Sequence, residues 1–199
     1  MKLYFAPGAC SLAVHIVLRE LQLPFTLIRV NNQTKLTEQG EDFLQINPKG
    51  YVAALMLDDG QVLTEGVVIL QYLADLSADA RLAPVNGSWP RVRLQEWLNF
   101  ITAELHAACS PLFSEAMPAV AKQLLRDRLG HRLSYLSHTL QQQDYLMEQG
   151  YSVADAYLFT VLGWLPRLGM DLDRWPALVV FMARLAERPA VAAALAAEA

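Results

Sequence analysis

Two cysteines and four histidines in 199 residues leave little material for a disulfide scaffold or a metal site. A chain of this length builds its core without covalent staples. Cys10 and Cys109 are therefore read as free thiols in a reducing compartment, which points to a cytoplasmic protein. Charge is also scarce: charged residues make up 18% and the net charge is −4. Nucleic acid demands clustered cations. The densest basic stretch, Arg126 to Arg132, is broken by Asp127 and reads as a solvated helix face, so no nucleic-acid partner is expected. No apolar run reaches the roughly 18 uncharged residues of a membrane span, so no membrane partner is expected either. The apolar start of the chain is broken at Pro7-Gly8 and followed by His15 and Arg19, unlike a signal peptide. His131 and His138 share a helix stripe, but no carboxylate or thiol completes a zinc set, and Asp58-Asp59 fits a turn. Repeats and low-complexity tracts are absent. What is abundant is apolar: 54% hydrophobic residues, a globular composition that suggests helix-rich packing and a subunit interface.

Residues 1–76 alternate strand and helix signals. Lys2–Phe5 reads as a strand, stopped by Pro7-Gly8, and an apolar-periodic run from Cys10 to Leu21 reads as a helix. Pro24 precedes a second strand, Phe25–Val30. Val52–Leu57 and Gln61–Leu63 flank Asp58-Asp59-Gly60, a hairpin signal, and Thr64 reads as the N-cap of a helix to about Leu76. A crossover helix makes the first two strands parallel. Residues 77–88, with Ser77, Asp79, Pro84, Asn86, Gly87 and Ser88, have linker composition. From Trp89 to the end only helix signals remain. Ser88 with Pro90 starts one helix, Ser110-Pro111 ends or kinks it, and Pro118 precedes another to about Gln142. Ser152 and Asp155 form a capping box ahead of Ala156–Leu165, and Pro176 and Pro189 precede two short helices.

Cys10 falls at a strand-to-helix turn, beside the free N–H groups and positive end of a helix, where a thiol should ionise more easily than a free one. A small buried hydrophobe is the plainer reading of the same residue. Ser11 can donate to a thiolate or help cap the helix. Glu65 and Gly66 open a helix, so Glu65 can pair with an ammonium while the first N–H groups hold a carboxylate, the two charges of an α-amino acid. Glu65 also fits as an ordinary first-turn acid. Val52 adjoins backbone that an extended peptide can pair with. Asn99 and His106, seven apart, lie only about 20° apart around a straight α-helix. Leu94, Trp97, Ile101, Leu105 and Ala108 form the opposite, core-facing stripe. An ordinary polar face fits Asn99 and His106 as well. His15, inside the first helix, reads as packed.

Taken in order, these segments resemble the cytosolic glutathione transferases, specifically the bacterial beta class. The matches are Lys2–Leu12 with Pro-Gly-Ala-Cys-Ser, Asn47-Pro48-Lys49-Gly50, Leu55–Gly60, Leu63-Thr64-Glu65-Gly66, Gln71–Asp75, Leu82-Ala83-Pro84, Glu96–Asn99, Glu104-Leu105-His106 and Ala154–Phe159. The resemblance implies an α/β thioredoxin-like glutathione-binding domain over 1–76, a linker over 77–88 and an all-α domain over 89–199 lining the electrophile site. It also implies a homodimer, with some contacts from the neighbouring subunit, and a role in detoxification. Carried over by position, Cys10 lies next to the glutathione sulfur, and Lys35 holds the glycyl carboxylate. The Val52 backbone pairs with the cysteinyl part, and Glu65 and Gly66 take the γ-glutamyl end. Asn99 and His106 line the thiol side, with Ala103 and Glu104 in the same segment. No resident cofactor and no metal are implied; glutathione is a co-substrate. Helix N–H groups, Ser11, and His106 as donor or cation would stabilise the glutathione thiolate, which attacks a small hydrophobic electrophile. Cys10 would also allow thiol–disulfide exchange, and a non-enzymatic module binding glutathione or apolar ligands is the alternative.

One position departs from that family. The usual Val-Pro, with its cis peptide, reads Val52-Ala53-Ala54 here. A cis bond before alanine costs about 3 kcal/mol, against roughly 0.5–1 before proline. The matching flanks favour a retained cis geometry, with weaker or altered glutathione binding expected.

Overall fold

The computed structural model describes residues 1–77 and 81–199. Residues 78–80 of the expected linker 77–88, Asp79 among them, lie outside the described residues. The chain divides into two compact units, Met1–Ala80 with Arg188–Ala199, and Arg81–Glu187.

The first unit is built on a four-stranded sheet in the order β2-β1-β3-β4. Its strands are β1 (Lys2–Phe5), β2 (Thr26–Arg29), β3 (Ala54–Met56) and β4 (Val62–Thr64). β1 and β2 run parallel with Leu3 opposite Leu27, and α1 (Ser11–Glu20) is the crossover between them. β3 is antiparallel to both β1 and β4, because the Asp58-Asp59-Gly60 turn joins β3 to β4 directly. Alternation along the strands sends side chains to both faces. Tyr4, Ile28 and Ala54 pack with Phe43, Val30 and Val52 on one of them. With its helices this is the thioredoxin-like arrangement.

α1 is buried from Ser11 to Leu18 without interruption. A helix that is apolar all round must be enclosed. The sheet, α2 (Gly66–Asp75) and α8 (Pro189–Glu198) all pack on α1. α8 comes from the expected helical segment 89–199, yet it groups with the sheet. Val191 and Ala194 give it a buried stripe, and Arg188 just before it donates two hydrogen bonds to Glu20 on α1, at 2.7 and 3.0 Å. α2 begins one residue later than the Thr64 cap predicted from sequence. Thr64 is the last residue of β4, and Glu65, with φ 68°, is the N-cap.

The second unit is helical. α3 (Trp89–Phe100) starts at the Ser88 cap, whose Oγ accepts the Arg91 N–H. A π-helical turn (Ile101–His106), α4 (Ala107–Cys109) and a 3-10 turn (Ser110–Phe113) follow without a break. Then come α5 (Ala119–Leu140), α6 (Val153–Leu162) and α7 (Pro176–Ala186). Every residue of α6 is buried. Its start carries the capping box predicted from Ser152 and Asp155. One Asp155 oxygen accepts Ser152 N–H and Oγ–H at 2.8 Å each, and the other accepts Leu146 N–H at 2.8 Å. No described helix is long and apolar enough to cross a membrane.

Candidate functional site

In the first unit the site grows from the turn between β1 and α1. Gly8 takes φ 66°, a left-handed conformation that suits glycine. The turn closes with Ala9 N–H donating to Ala6 C=O. Ser11 is fully buried, and its hydroxyl lies within hydrogen-bond distance of Ala6 N–H (3.3 Å) and Ala6 C=O (3.4 Å). Its hydroxyl holds the turn here, where the sequence offers it either as a donor to a thiolate or as a helix cap. A second anchor comes from α8. Glu198 Oε2 accepts Gly8 N–H at 3.3 Å, and Oε1 lies 2.9 Å from His15 Nδ1. Arg19 Nε donates to His15 Nε2 at 2.8 Å, so Nδ1 carries the ring proton and donates to Glu198. His15 is packed, as its place in the helix suggests.

Cys10 occupies the N-cap of α1 with αR backbone angles and no capping by its side chain. Its thiol donates to Val52 C=O at 3.1 Å. Burial pushes the Cys10 thiol up to about 11, against backbone hydrogen bonds that pull it down, and the charge of Glu65 pushes the same way as burial. This runs against the expectation of an easily ionised thiol. The helix end is present, but desolvation of the anion outweighs it. The Val52–Ala53 peptide is cis.

The remaining predicted residues of this unit are Lys35, Glu65 and Gly66. Lys35, itself at φ 59°, donates from Nζ to Gly50 C=O at 2.8 Å and lies 5.5 Å from the centre of the Tyr51 ring. Asn47 Nδ2 donates to Tyr51 C=O at 2.7 Å and fixes the turn that leads into Val52. Glu65 is exposed and pairs with Lys49 at 2.5 Å; Lys49 also donates to Thr64 Oγ1. Gly66 opens α2, and the first in-helix bond is made by Val68 N–H to Glu65 C=O. The N–H groups of Gly66 and Val67 thus precede the helix's own hydrogen bonding. The structure brings Cys10 onto the Val52 carbonyl and within the field of Glu65, and sets Lys35 beside the Gly50 carbonyl. The role of Lys49 was not legible: nothing local marks a partner sixteen residues on.

In the second unit the predicted residues straddle the π turn. Ala107 N–H reaches Thr102 C=O, five residues back. The straight-helix spacing that put Asn99 and His106 about 20° apart therefore does not apply, because the wider turn intervenes. The core stripe survives: Leu94, Trp97, Ile101, Leu105 and Ala108 are all buried. Asn99 and Ala103 are exposed. Glu104 Oε2 accepts from Arg128 (2.9 Å) and Arg132 (2.8 Å) on α5, which hold its carboxyl below the usual range. His106 is half-buried; its Nδ1 lies 2.6 Å from Tyr157 Oη, and its ring meets Trp164 edge-on at 4.9 Å. Burial pushes His106 below its ordinary value, which favours a neutral donor over the cation that sequence left open. Tyr157 and Trp164 were not predicted as its partners. Among the described residues no group of His, Cys, Asp and Glu is arranged to hold a metal.

A mixed four-stranded sheet with a cysteine at the start of its first helix, together with a separate helical unit, defines the class as a thioredoxin-like fold joined to an all-helical unit. Comparison with known proteins narrows this. Residues 8–76 match the family model described as Glutathione S-transferase, N-terminal domain, and residues 100–189 that described as Glutathione S-transferase, C-terminal domain. Glutathione S-transferase GstA of Escherichia coli O157:H7 is 48% identical over 199 residues, covering 100% of this chain and 98% of that protein. A sphingomonad glutathione S-transferase complexed with glutathione superposes with a TM-score of 0.96 at 44% identity, covering 100% of this chain and 98% of its own. The bacterial beta class enzyme of Sphingomonas chungbukensis gives 0.96 at 43% identity with the same coverage. The chain belongs to the glutathione S-transferase family and is a glutathione transferase of the bacterial beta class.

Proposed function

We propose that this transferase joins the sulfur of glutathione to small hydrophobic electrophiles, and that the attacking sulfur is glutathione's, not that of Cys10. The observation that carries the reading is the Cys10 thiol itself. It is donated to Val52 C=O and pushed up to about 11, so near neutral pH it is a poor nucleophile. The nucleophile then has to come from the bound thiol. The glutathione thiol loses its proton to solvent, the thiolate attacks the electrophilic carbon, the C–S bond forms, and the leaving group departs with its electron pair.

Glutathione binding exchanges partners already in place. Lys35 leaves Gly50 C=O for the glycyl carboxylate. Glu65 turns from Lys49 to the γ-glutamyl ammonium, while Gly66 and Val67 N–H groups take its carboxylate. The Val52 backbone pairs with the cysteinyl unit. Asn99, Ala103, Glu104 and His106 are assigned to the thiol side on the family resemblance, some of them from the neighbouring subunit of a homodimer. His106 serves as a neutral hydrogen-bond donor to the thiolate. We assign the enzyme to detoxification on the family resemblance and to the cytoplasm, where a reducing environment suits its two free thiols. Thiol–disulfide exchange at Cys10 ranks second, because it needs the thiolate that burial disfavours.

Retention on immobilised glutathione, followed by assays with an aryl halide and with a glutathione mixed disulfide, tests the reading. Cys10→Ala should keep aryl-halide conjugation within about threefold and lose any disulfide reduction. His106→Ala should lower conjugation on the order of a hundredfold. Loss of conjugation in Cys10→Ala with binding retained would reverse the assignment of the nucleophile.

A further inference from the structure

The hydroxyl of Tyr157 lies within reach of both His106 and Thr102 and has one proton to donate. Tyr157 lies in fully enclosed α6 and is itself buried, so water does not settle the matter. Its Oη is 2.6 Å from His106 Nδ1 and 3.5 Å from Thr102 Oγ1. Thr102 has a single hydroxyl proton, and its Oγ1 donates to Leu98 C=O, one turn back, at 2.8 Å. It has none left for Tyr157. Hydroxyl donors work at about 2.5–3.0 Å, so 3.5 Å is too long for Tyr157 to favour Thr102. The 2.6 Å contact lies within that hydroxyl range and below the roughly 2.7–3.2 Å of N–H donors. An imidazole nitrogen is also a better acceptor than a phenol oxygen. The proton of Tyr157 therefore points at His106 Nδ1.

We infer that Tyr157 is a positioning residue that donates to His106 Nδ1 and so holds His106 as the Nε2–H tautomer, a hydrogen-bond donor to the thiolate. In the neutral ring the nitrogen that accepts cannot carry the proton. Nε2 then bears it, and among the described residues Nε2 has no hydrogen-bond partner. Burial keeps the ring neutral, so the tautomer, and not the charge, decides what His106 offers. The edge-on contact with Trp164 fixes the ring plane as well. What the freed N–H serves rests on the glutathione transferase reading above; the tautomer itself does not.

Long-range nitrogen–proton correlation spectra of the full chain with labelled histidine, near neutral pH, read the tautomer directly. His106→Gln identifies the resonances. Wild-type His106 should show a protonated Nε2 and a bare Nδ1. Tyr157→Phe, which keeps the ring and the packing of α6, should shift both nitrogens toward the average of two exchanging tautomers. Thr102→Val should leave them in place. In conjugation assays Tyr157→Phe should lower kcat by about tenfold with KM for glutathione within twofold. A protonated Nδ1 in the wild type, or a Tyr157→Phe spectrum identical to it, overturns the inference. So does a Thr102→Val spectrum that moves as Tyr157→Phe is expected to. The expected spectra with an unchanged kcat in Tyr157→Phe would uphold the tautomer and remove His106 from the reaction, which separates the two claims.

Discussion

α1 and α6 have the same length and nearly the same problem. Each is a ten-residue helix, α6 buried throughout and α1 from Ser11 to Leu18, and each encloses a side chain that can carry charge, Asp155 in α6 and His15 in α1. Their solutions are opposite. Asp155 in α6 finds its donors close by, at Leu146 and Ser152. His15 in α1 is caught between Arg19, one turn away, and Glu198, 183 residues away. The local solution is a cap that any helix start can use. The remote one ties a turn, a helix and the far end of the chain into one polar cluster. Buried ionisable groups are tolerated when their partners are fully supplied. The contrast is in where the chain supplies them.

Four measurements would break or sharpen the contrast. Asp155→Ala should cost most, about 3 kcal/mol in urea unfolding, because it leaves the N–H groups of Leu146 and Ser152 unsatisfied inside the helical unit. The Asp155 carboxyl is pushed up to about 6 by burial. A carboxyl raised in the folded state contributes most below its unfolded value of roughly 4 and loses that contribution as pH rises through about 6. The gap between wild type and Asp155→Ala should therefore widen as pH falls from about 6 to about 4. Glu198→Ala comes next, at about 2 kcal/mol, since it leaves His15 without its acceptor. It should also weaken glutathione binding, because Gly8 loses its anchor. A similar cost without any change in affinity would separate α8 from the site.

The third measurement follows α1 to its first residue. Alkylation of Cys10 by iodoacetamide should be about a hundredfold slower than that of a free thiol near pH 8 and climb until pH nears 11. Rapid labelling at neutral pH would restore the easily ionised thiol. The smallest effect belongs to Arg188→Ala. Its ion pair with Glu20 is partly exposed, so its loss should cost about 1 kcal/mol or less by the same unfolding assay.

The same comparison explains what was legible in the sequence. Ser152 and Asp155 could be read because a capping box is a spacing rule. Lys2–Phe5, Ser88-Pro90 and the helix behind Pro118 were equally readable, each being set by nearby residues. Glu198 could not be read, since no local pattern pairs a residue in an alanine-rich helix with a histidine in the first. The π turn escaped for a related reason: Ile101–His106 keeps its apolar stripe, and the extra residue shows only in the hydrogen bonds. The position of Cys10 is legible, and its chemistry is not. A helix start argues for a low value and burial argues for a high one, and only coordinates show how far burial prevails. Thr64 was placed one residue early because Glu65 adopts φ 68°, a backbone state that sequence gives no reason to expect of glutamate.

The grouping of α8 with the sheet has a consequence for synthesis. The first unit is discontinuous in the chain, with roughly a hundred residues of the other unit between its two parts. On a ribosome the sheet, α1 and α2 emerge first but wait for their last helix. At ordinary elongation rates that interval is about 5–20 s. During it α1 keeps one apolar side open and His15 lacks its acceptor. The unit that is made first is therefore the one finished last, and the nascent chain carries an exposed apolar groove until translation of Arg188–Ala199 closes it.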